Sequence, residues 1–381
     1  MYFFQQAKLQ QHASRILSLS VLISLSLLFS ACNSASGQSQ PVVSATRPVA
    51  SITLSPTPSV PTLLRPDLER GMIYPQWGPS SYGDTDTTWL QGIKDIKAQT
   101  GATWLEIPVL LEQNTIYSTS VGAGPATPSV DAFASGVRSA VAAGYHVFFI
   151  PLLGVNTPGD WSGVVQISRP YQQVWFDSYW NALKPYAEAA QENGAEQMAI
   201  GTELVWLEDN APASLWNQLI ARVQSVFKGT LTYDMNWYPS LTEAPASWLR
   251  NPALAKIGLS EYVPLEDSPG RIDPNALPAL WRNRVGKLID AFSAQVGKQI
   301  ILTEIGYADT SDGLSDPYYA QSTAPSDQAE QAAAYEAALS NVFADTRIAG
   351  IFFWGWSDVG RLGIEGHQAV QVVYRWYTAR G

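Results

Sequence analysis

Two glutamates of this chain each follow directly on a short apolar run. Glu203 follows the run 198–202, and Glu304 follows the run 299–303. If both runs are parallel strands of one sheet, the two carboxyl groups lie at the same edge of that sheet. Paired carboxyl groups can cleave a glycosidic bond, because one protonates the leaving oxygen while the other attacks the sugar or activates water. The sequence therefore predicts a paired-carboxylate site built from Glu203 and Glu304.

The elements that position these glutamates alternate between strand-like and helix-like patterns. Nearly continuous apolar runs, typical of parallel strands covered on both faces, cover 71–74, 103–107, 146–150, 198–202, 229–233, 257–260, 299–303 and 350–354. Helical patterns cover 89–100, 130–143, 171–193, 213–227, 276–295 and 327–343, and the stretches 241–250 and 368–379 supply two more. This alternation predicts an α/β fold, a single (β/α)8 TIM barrel over 66–381 in which strands four and seven face each other. A doubly wound open sheet would usually carry a glycine-rich phosphate turn after strand one, and 74–78 is not one.

The composition of the chain argues against several classes of function. The chain has 381 residues, of which 46% are hydrophobic and 15% charged, enough for a large core. Its net charge of -10 argues against a nucleic-acid partner, which would favour a basic face. Three histidines argue against a His-rich metal site, and strand one has no His-x-His motif. We therefore expect neither a metal nor a cofactor, and we expect a monomer.

Aromatic side chains suited to stacking on sugar rings follow several predicted strands. The candidates are Trp77, Trp206, Trp237 and Trp356, after strands one, four, five and eight. After strand five, Asp234 and Asn236 could contact a sugar hydroxyl or could cap a loop. Glu106 and Asp358 are assigned structural roles. Glu261 is left out of the site, because in extended backbone it should point away from its neighbour Tyr262.

The N-terminus has the pattern of an export signal. Lys8 and Arg15 precede an apolar run over 16–31, which is short for a membrane span. Cys32, the chain's single cysteine, follows the run directly, and 28–32 resembles a bacterial lipoprotein signal, with a plain secretory signal as the alternative. We expect 1–31 to be removed, Cys32 to be lipidated, and the Pro-, Ser- and Thr-rich segment 32–65 to be a flexible tether. The location would be extracytoplasmic, anchored to the bacterial cell membrane.

Four stretches together resemble clan A glycoside hydrolases, and within that clan most closely family 113, known for β-mannanase activity. The stretches are Ile200–Leu204, Leu302–Tyr307, Leu259–Leu265 and Phe352–Trp356. The resemblance implies that Glu203 is the acid/base and Glu304 the nucleophile. It also implies that Tyr262 donates a hydrogen bond to the nucleophile and that Trp354 forms the floor of the subsite where the bond breaks. Tyr307, in the strand-seven motif, is a further substrate-binding candidate.

The sequence departs from the clan pattern at two positions. Thr202 stands where many members have an Asn before the acid/base, and strand two, 104–108, has no Arg at its end. Two functions therefore remain open. One is a retaining β-glycoside hydrolase that cleaves a β-linked polysaccharide or oligosaccharide, mannan-type favoured. The other is a non-catalytic glycan-binding surface lipoprotein on a degenerate barrel.

Overall fold

A computed structural model describes residues 65–270, 272–357 and 359–379. Its strands close into a parallel barrel in the order β1 to β8, with β1 pairing both β2 and β8. The strands are β1 Glu69–Ile73, β2 Trp104–Gln113, β3 His146–Val155, β4 Gln197–Thr202, β5 Thr230–Asn236, β6 Ile257–Glu261, β7 Ile300–Ile305 and β8 Ile348–Trp354. The predicted (β/α)8 barrel is confirmed, and the apolar runs that predicted it form its strands.

Helices alternate with these strands around the barrel. They are α1 Thr87–Thr100, α2 Val130–Ala142, α3 Gln172–Glu192, α4 Val205–Asn210, α5 Ala213–Val226, α6 Leu277–Trp281, α7 Lys287–Val296, α8 Gln328–Ala344 and α9 Gln368–Thr378. Their ends follow local chemistry. The Asp327 side chain accepts the N–H of Glu330 and so caps the start of α8. Gly297 ends α7 at φ 70°, a left-handed conformation that glycine adopts without a Cβ clash.

The strands separate two apolar cores. The inner core, inside the barrel, includes Ile73, Phe148, Ile301 and Phe352. The outer core lies between the strands and the helices, where Leu105 and Ile107 of β2 pack. Both faces of the strands are therefore buried, which is why their sequences read as continuous apolar runs.

Several predicted boundaries differ from the structure. β2 and β3 run past their predicted ends at 107 and 150, to Gln113 and Val155. β5 extends to Asn236, so Asp234 and Asn236 lie within the strand rather than after it. The predicted helix over 276–295 consists of α6, a π-helical turn Arg282–Gly286 and α7. The stretch 241–250 forms only a 3₁₀ turn, Ser247–Arg250, because Pro245 lies inside the stretch and interrupts a longer helix.

The start of the described chain is fixed to the barrel floor, at the amino ends of the strands. Arg65 donates to the backbone carbonyls of Asp345 and Ile348, both at 2.9 Å. Ile348 begins β8, so the chain enters the domain on the face opposite the carboxyl ends of the strands. The predicted signal 1–31, Cys32, the tether as far as residue 64, and Asp358 lie outside the described residues. Within 65–379, apart from residues 271 and 358, no helix is long and apolar enough to cross a membrane.

Candidate active site

Glu203 lies directly after β4, where the chain turns sharply. The pairing of β4 with β5 shifts register between Ala199 and Thr202, and such irregularities re-aim side chains. The Glu203 backbone adopts φ 51°, in the left-handed region that costs a residue with a Cβ about 1–2 kcal/mol. Its N–H donates to the carbonyl of Asp234 at 2.8 Å. The local fold thus holds Glu203 in a strained conformation, as often occurs at functional sites.

The carboxyl group of Glu203 contacts Asn236 on the neighbouring strand. Asn236 Nδ2 donates to Glu203 Oε1 at 2.7 Å, and both side chains are partly exposed. The surrounding protein desolvates Glu203 and raises its pKa above 4.5, and the hydrogen bond from Asn236 opposes that rise. A carboxyl group with a raised pKa keeps its proton nearer to neutral pH, as a general acid must.

Glu304 lies inside β7, next to a second strand irregularity. The pairing of β7 with β8 shifts register between Leu302 and Ile305. Consecutive residues of a regular strand face opposite sides, but Thr303 and Glu304 both make contacts inside the barrel. Tyr262 Oη donates to Glu304 Oε2 at 3.3 Å, and Glu304 is only 5% exposed. The bulge therefore turns the Glu304 carboxyl group inward, beside Tyr262.

Asp234 is a third carboxyl group, fully buried on β5. Ser260 Oγ donates to its Oδ2 at 3.0 Å, and Thr303 Oγ1 donates to its Oδ1. Asp234 thus links β5 to β6 and β7 beneath the two glutamates. The sequence predicts Asp234 to be a sugar contact or a loop cap, whereas its side chain is buried inside the barrel.

Glu106 is a fourth carboxyl group, fully buried on β2. Its sequence neighbours Leu105 and Ile107 pack in the outer core, so Glu106 faces the barrel interior. Neither carboxyl oxygen has a hydrogen-bond partner among the described residues. Burial, followed by the charges of Glu304 and Asp234, raises the pKa of Glu106 well above 4.5. A buried carboxyl group without a partner is far more stable neutral than ionised.

The four carboxyl groups influence each other's ionisation. Burial raises the pKa of Glu304 well above 4.5, the charges of Glu203 and Asp234 raise it further, and the hydrogen bond from Tyr262 opposes the rise. Burial and the charge of Glu203 likewise raise the pKa of Asp234. None of the four forms an ion pair with a described residue, so like charges in the cluster disfavour one another. The cluster consequently keeps protons at pH values where isolated carboxyl groups would all be ionised.

The predicted aromatic residues divide between the two cores. Trp354 is 5% exposed and belongs to the inner core, and the partly exposed Trp77 and Trp237 pack against that core. Trp237 also lies beside the exposed Tyr238, with ring centroids 5.5 Å apart. Partly exposed Trp206 packs only against the outer core.

Two of the predicted substrate-binding residues are buried in the outer core, which corrects their assignment. Tyr307 is fully buried, and its hydroxyl group accepts the indole N–H of Trp281 on α6 at 3.1 Å. Trp356 is 1% exposed and packs in the same core. Each residue lies two positions beyond the end of a strand, Tyr307 after Ile305 of β7 and Trp356 after Trp354 of β8. Neither ring is accessible to a sugar.

In the described part of the chain, no group of three or more His, Cys, Asp or Glu side chains is arranged to hold a metal ion.

Two residues that the sequence does not mark as functional, Tyr233 and Glu208, support the turn at Glu203 from the outer face of β5. Tyr233 is fully buried on the outer face of β5, and its hydroxyl group accepts the N–H of Leu204 at 2.9 Å and donates to Glu208 Oε1 at 2.7 Å. Glu208, on α4, is also buried. A tyrosine in an apolar strand and an acid in a short helix carry no sequence signal of this contact, because it depends on how α4 packs on β5.

Comparison with protein families gives a match over most of the chain. The model of Glycoside Hydrolase Family 113 matches residues 81–377. No curated protein sequence matches the chain.

Solved structures share the fold at low sequence identity. A β-1,4-mannanase of family 113 superposes with a TM-score of 0.70 at 21% identity, covering 82% of this chain and 99% of that one. The family 113 β-mannanase from Alicyclobacillus acidocaldarius, complexed with ManMIm, gives 0.69 at 22% identity, covering 82% and 97%. A β-glucuronidase from Ruminococcus gnavus is more distant, with a TM-score of 0.52 at 13% identity, covering 81% of this chain and 49% of that one.

Proposed function

Because the chain belongs to glycoside hydrolase family 113 and is a glycoside hydrolase, we propose that it cleaves β-linked mannan-type glycans with retention of configuration. Glu304 is the nucleophile and Glu203 is the acid/base in this proposal. The observation that carries it is the placement of the two carboxyl groups, which stand at the carboxyl ends of β4 and β7, on opposite sides of one closed barrel. TIM-barrel enzymes place their chemistry at this end of the strands.

The first step needs one protonated and one ionised carboxyl group. Glu304 attacks the anomeric carbon, while Glu203 protonates the departing glycosidic oxygen. The charge of Glu203 raises the pKa of Glu304, so the two carboxyl groups do not both ionise readily and the pair retains one proton and one negative charge. Tyr262 donates to Glu304 Oε2 and stabilises the ionised nucleophile, and Glu203 keeps the proton for the leaving group.

The second step reverses the role of Glu203. Once the leaving sugar has departed, Glu203 is ionised and accepts a proton from water, which attacks the glycosyl ester on Glu304. Asn236 donates to Glu203 Oε1 and stabilises this ionised form. The Asn236–Glu203 contact therefore matters most when the acid/base acts as a base.

The sugar-binding surface consists of the aromatic residues around the inner core. Trp354 forms the floor of the subsite where the bond breaks, and Trp77 and Trp237 offer partly exposed rings beside it. Sugar rings stack their C–H faces on such rings. The mannan assignment is supported by the β-mannanases that share the family and the fold.

We further propose that Cys32 carries a lipid anchor and that the enzyme acts outside the cytoplasm. This proposal rests on the sequence of the signal segment. Arg65 contacts the amino end of β8, so the tether would join the barrel on the face opposite the acids. The cleft would then face away from the membrane, toward a polymeric substrate in the surroundings.

Chemical rescue tests the assignment of the two glutamates. Glu203→Ala should still form the glycosyl-enzyme from an aryl β-mannoside with a good leaving group and then stall, because no base activates water. Azide needs no base, so it should restore turnover and give the β-mannosyl azide. In Glu304→Ala, azide should replace the nucleophile and give the α-mannosyl azide.

The control for the rescue experiment is Glu196→Ala, because Glu196 is an exposed acid just before β4, on the opposite face of the barrel. Turnover of Glu196→Ala should match that of the wild type. The reverse pattern of azide products would exchange the roles of Glu203 and Glu304. Wild-type protein that binds β-mannan oligosaccharides without cleaving them would refute the mechanism.

A further inference from the structure

The left-handed conformation of Glu203 is held by hydrogen bonds from both adjoining peptide groups. The N–H of Glu203 donates to the carbonyl of Asp234, and the N–H of Leu204 donates to the hydroxyl group of Tyr233 at 2.9 Å. Both acceptors belong to consecutive residues of β5. Asp234 faces the barrel interior and Tyr233 faces the outer core, so β5 fixes the turn from both of its faces.

The hydroxyl group of Tyr233 is itself fixed by Glu208 on α4. It donates to Glu208 Oε1 at 2.7 Å, and Ser240 Oγ donates to Glu208 Oε2 at 3.2 Å. The backbone of Glu208 is held as well, since Trp248 Nε1 donates to its carbonyl at 3.1 Å. Leu204, Tyr233, Glu208 and Ser240 thus form one continuous chain of hydrogen bonds, which we call the brace.

Glu208 places a carboxyl group at a buried position, where an apolar side chain would cost less free energy to bury. Glu208 is 5% exposed, and burial raises its pKa to about 8. Trp216 and Trp248 stack on each other, and the Tyr233 ring packs edge-on against both, with ring centroids 5.3 and 4.9 Å away. A buried polar network whose members are hydrogen-bonded to one another holds them in one geometry.

We propose that Tyr233 and Glu208 are positioning residues for the acid/base: they hold the Leu204 peptide so that Glu203 keeps its left-handed turn and its carboxyl group stays at Asn236 and the leaving oxygen. This inference rests on the proposed role of Glu203. Neither residue touches the substrate site, so their contribution passes entirely through the Glu203 backbone.

The decisive variant is Tyr233→Phe, which removes the hydroxyl group and keeps the ring. If the brace positions the acid, the loss must depend on how much the leaving group needs a proton. We expect kcat/KM for β-1,4-mannotetraose to fall about 30-fold or more, because the hydroxyl group accepts from the Leu204 backbone and donates to the buried carboxyl group of Glu208. For 2,4-dinitrophenyl β-mannoside, whose leaving group departs without a proton, formation of the glycosyl-enzyme should fall less than about threefold.

The matched control is Tyr145→Phe. Tyr145 is 4% exposed, and its hydroxyl group donates to the carbonyl of Ile93 at 2.7 Å, away from the acids. It loses the same atom from an equally buried site, so any effect of general destabilisation should appear there too, equally on both substrates. Glu208→Gln keeps an oxygen that can accept from Tyr233 and should recover most of the activity that Glu208→Leu loses.

Several outcomes would overturn the inference. Equal losses on both substrates in Tyr233→Phe would assign the brace a purely structural role, and unchanged activity would remove it from the mechanism. If Tyr233→Phe does not fold, Ser240→Ala removes one donor to Glu208 and should give a smaller loss with the same leaving-group dependence. A wild-type enzyme that cleaves neither substrate would instead refute the proposed function and leave the brace a feature of the fold.

Discussion

The buried carboxyl group of Glu261 makes the stability of the fold depend on pH. Glu261 is fully buried at the end of β6, where its Oε1 accepts the N–H of Val263 at 2.9 Å and its Oε2 has no partner among the described residues. Burial raises the pKa of Glu261 from 4.5 to about 8. Between these two pH values the folded protein holds a proton that the unfolded chain has released.

The sign and size of the effect follow from this difference in proton binding. The contribution of Glu261 to stability is complete below pH 4.5 and is lost as the pH rises to 8, at about 1.4 kcal/mol per pH unit. At pH 7 the loss reaches about 3 kcal/mol. The glutamine in Glu261→Gln cannot ionise. The free energy of unfolding of this variant should therefore rise relative to that of the wild type, by about 1.4 kcal/mol per pH unit between pH 4.5 and pH 8. The buried amide adds a cost of roughly 1–3 kcal/mol that does not vary with pH.

Urea denaturation followed by tryptophan fluorescence, from pH 4 to pH 9 at constant ionic strength, measures this difference. The variant-minus-wild-type free energy should be flat below pH 4.5, rise through pH 5 to 8, and level off above. The measurements below pH 4.5 serve as the internal control, because there the two proteins differ only by the pH-independent cost of the buried amide. A difference that stays flat from pH 5 to pH 8 would refute the reasoning, since it would mean that the carboxyl group is solvated or paired.

Further predictions concern the site and the anchor. Asn236→Ala removes the hydrogen bond that lowers the pKa of Glu203, so the basic limb of kcat/KM against pH should move to higher pH, and deglycosylation should slow about 10- to 100-fold in single-turnover experiments. Asp234→Asn removes a charge that raises the pKa of Glu304, so the acidic limb should move to lower pH; a limb moving upward would contradict the coupling. Cys32→Ser should move the protein from the membrane pellet to the soluble fraction after signal cleavage, and a variant that still pelleted would exclude a lipid on Cys32 as the anchor.

The barrel was predictable because its signals are local. Buried parallel strands read as continuous apolar runs, and the cap at Asp327 and the glycine at 297 mark helix ends by spacing alone. Glu203 and Glu304 could be singled out for the same reason, since each stands where a run ends. Their opposition then follows from the topology of a closed eight-stranded barrel.

The finer geometry was not predictable, because it depends on breaks in strand periodicity. The bulge in β7 turns both Thr303 and Glu304 into the barrel, which simple alternation forbids. The prediction ended strand five at residue 233, so the side chain of Asp234 was not expected to be buried in the barrel. The prediction ended strand seven at residue 303 and wrongly placed Tyr307 at the sugar, whereas β7 runs to Ile305 and Tyr307 shares the outer core with Ile305. Long-range contacts such as Tyr233 with Glu208 depend on helix packing that no short motif encodes.

The configuration of the first sugar released tests the central claim most directly. Proton NMR of wild-type enzyme cleaving β-1,4-mannotetraose, recorded in the first minutes before mutarotation, distinguishes the two anomers of the new reducing end. Double displacement through Glu304 predicts that the β anomer appears first and the α anomer grows later by mutarotation. Initial release of the α anomer would show single displacement, which would contradict the covalent role of Glu304 and make it the base that activates water.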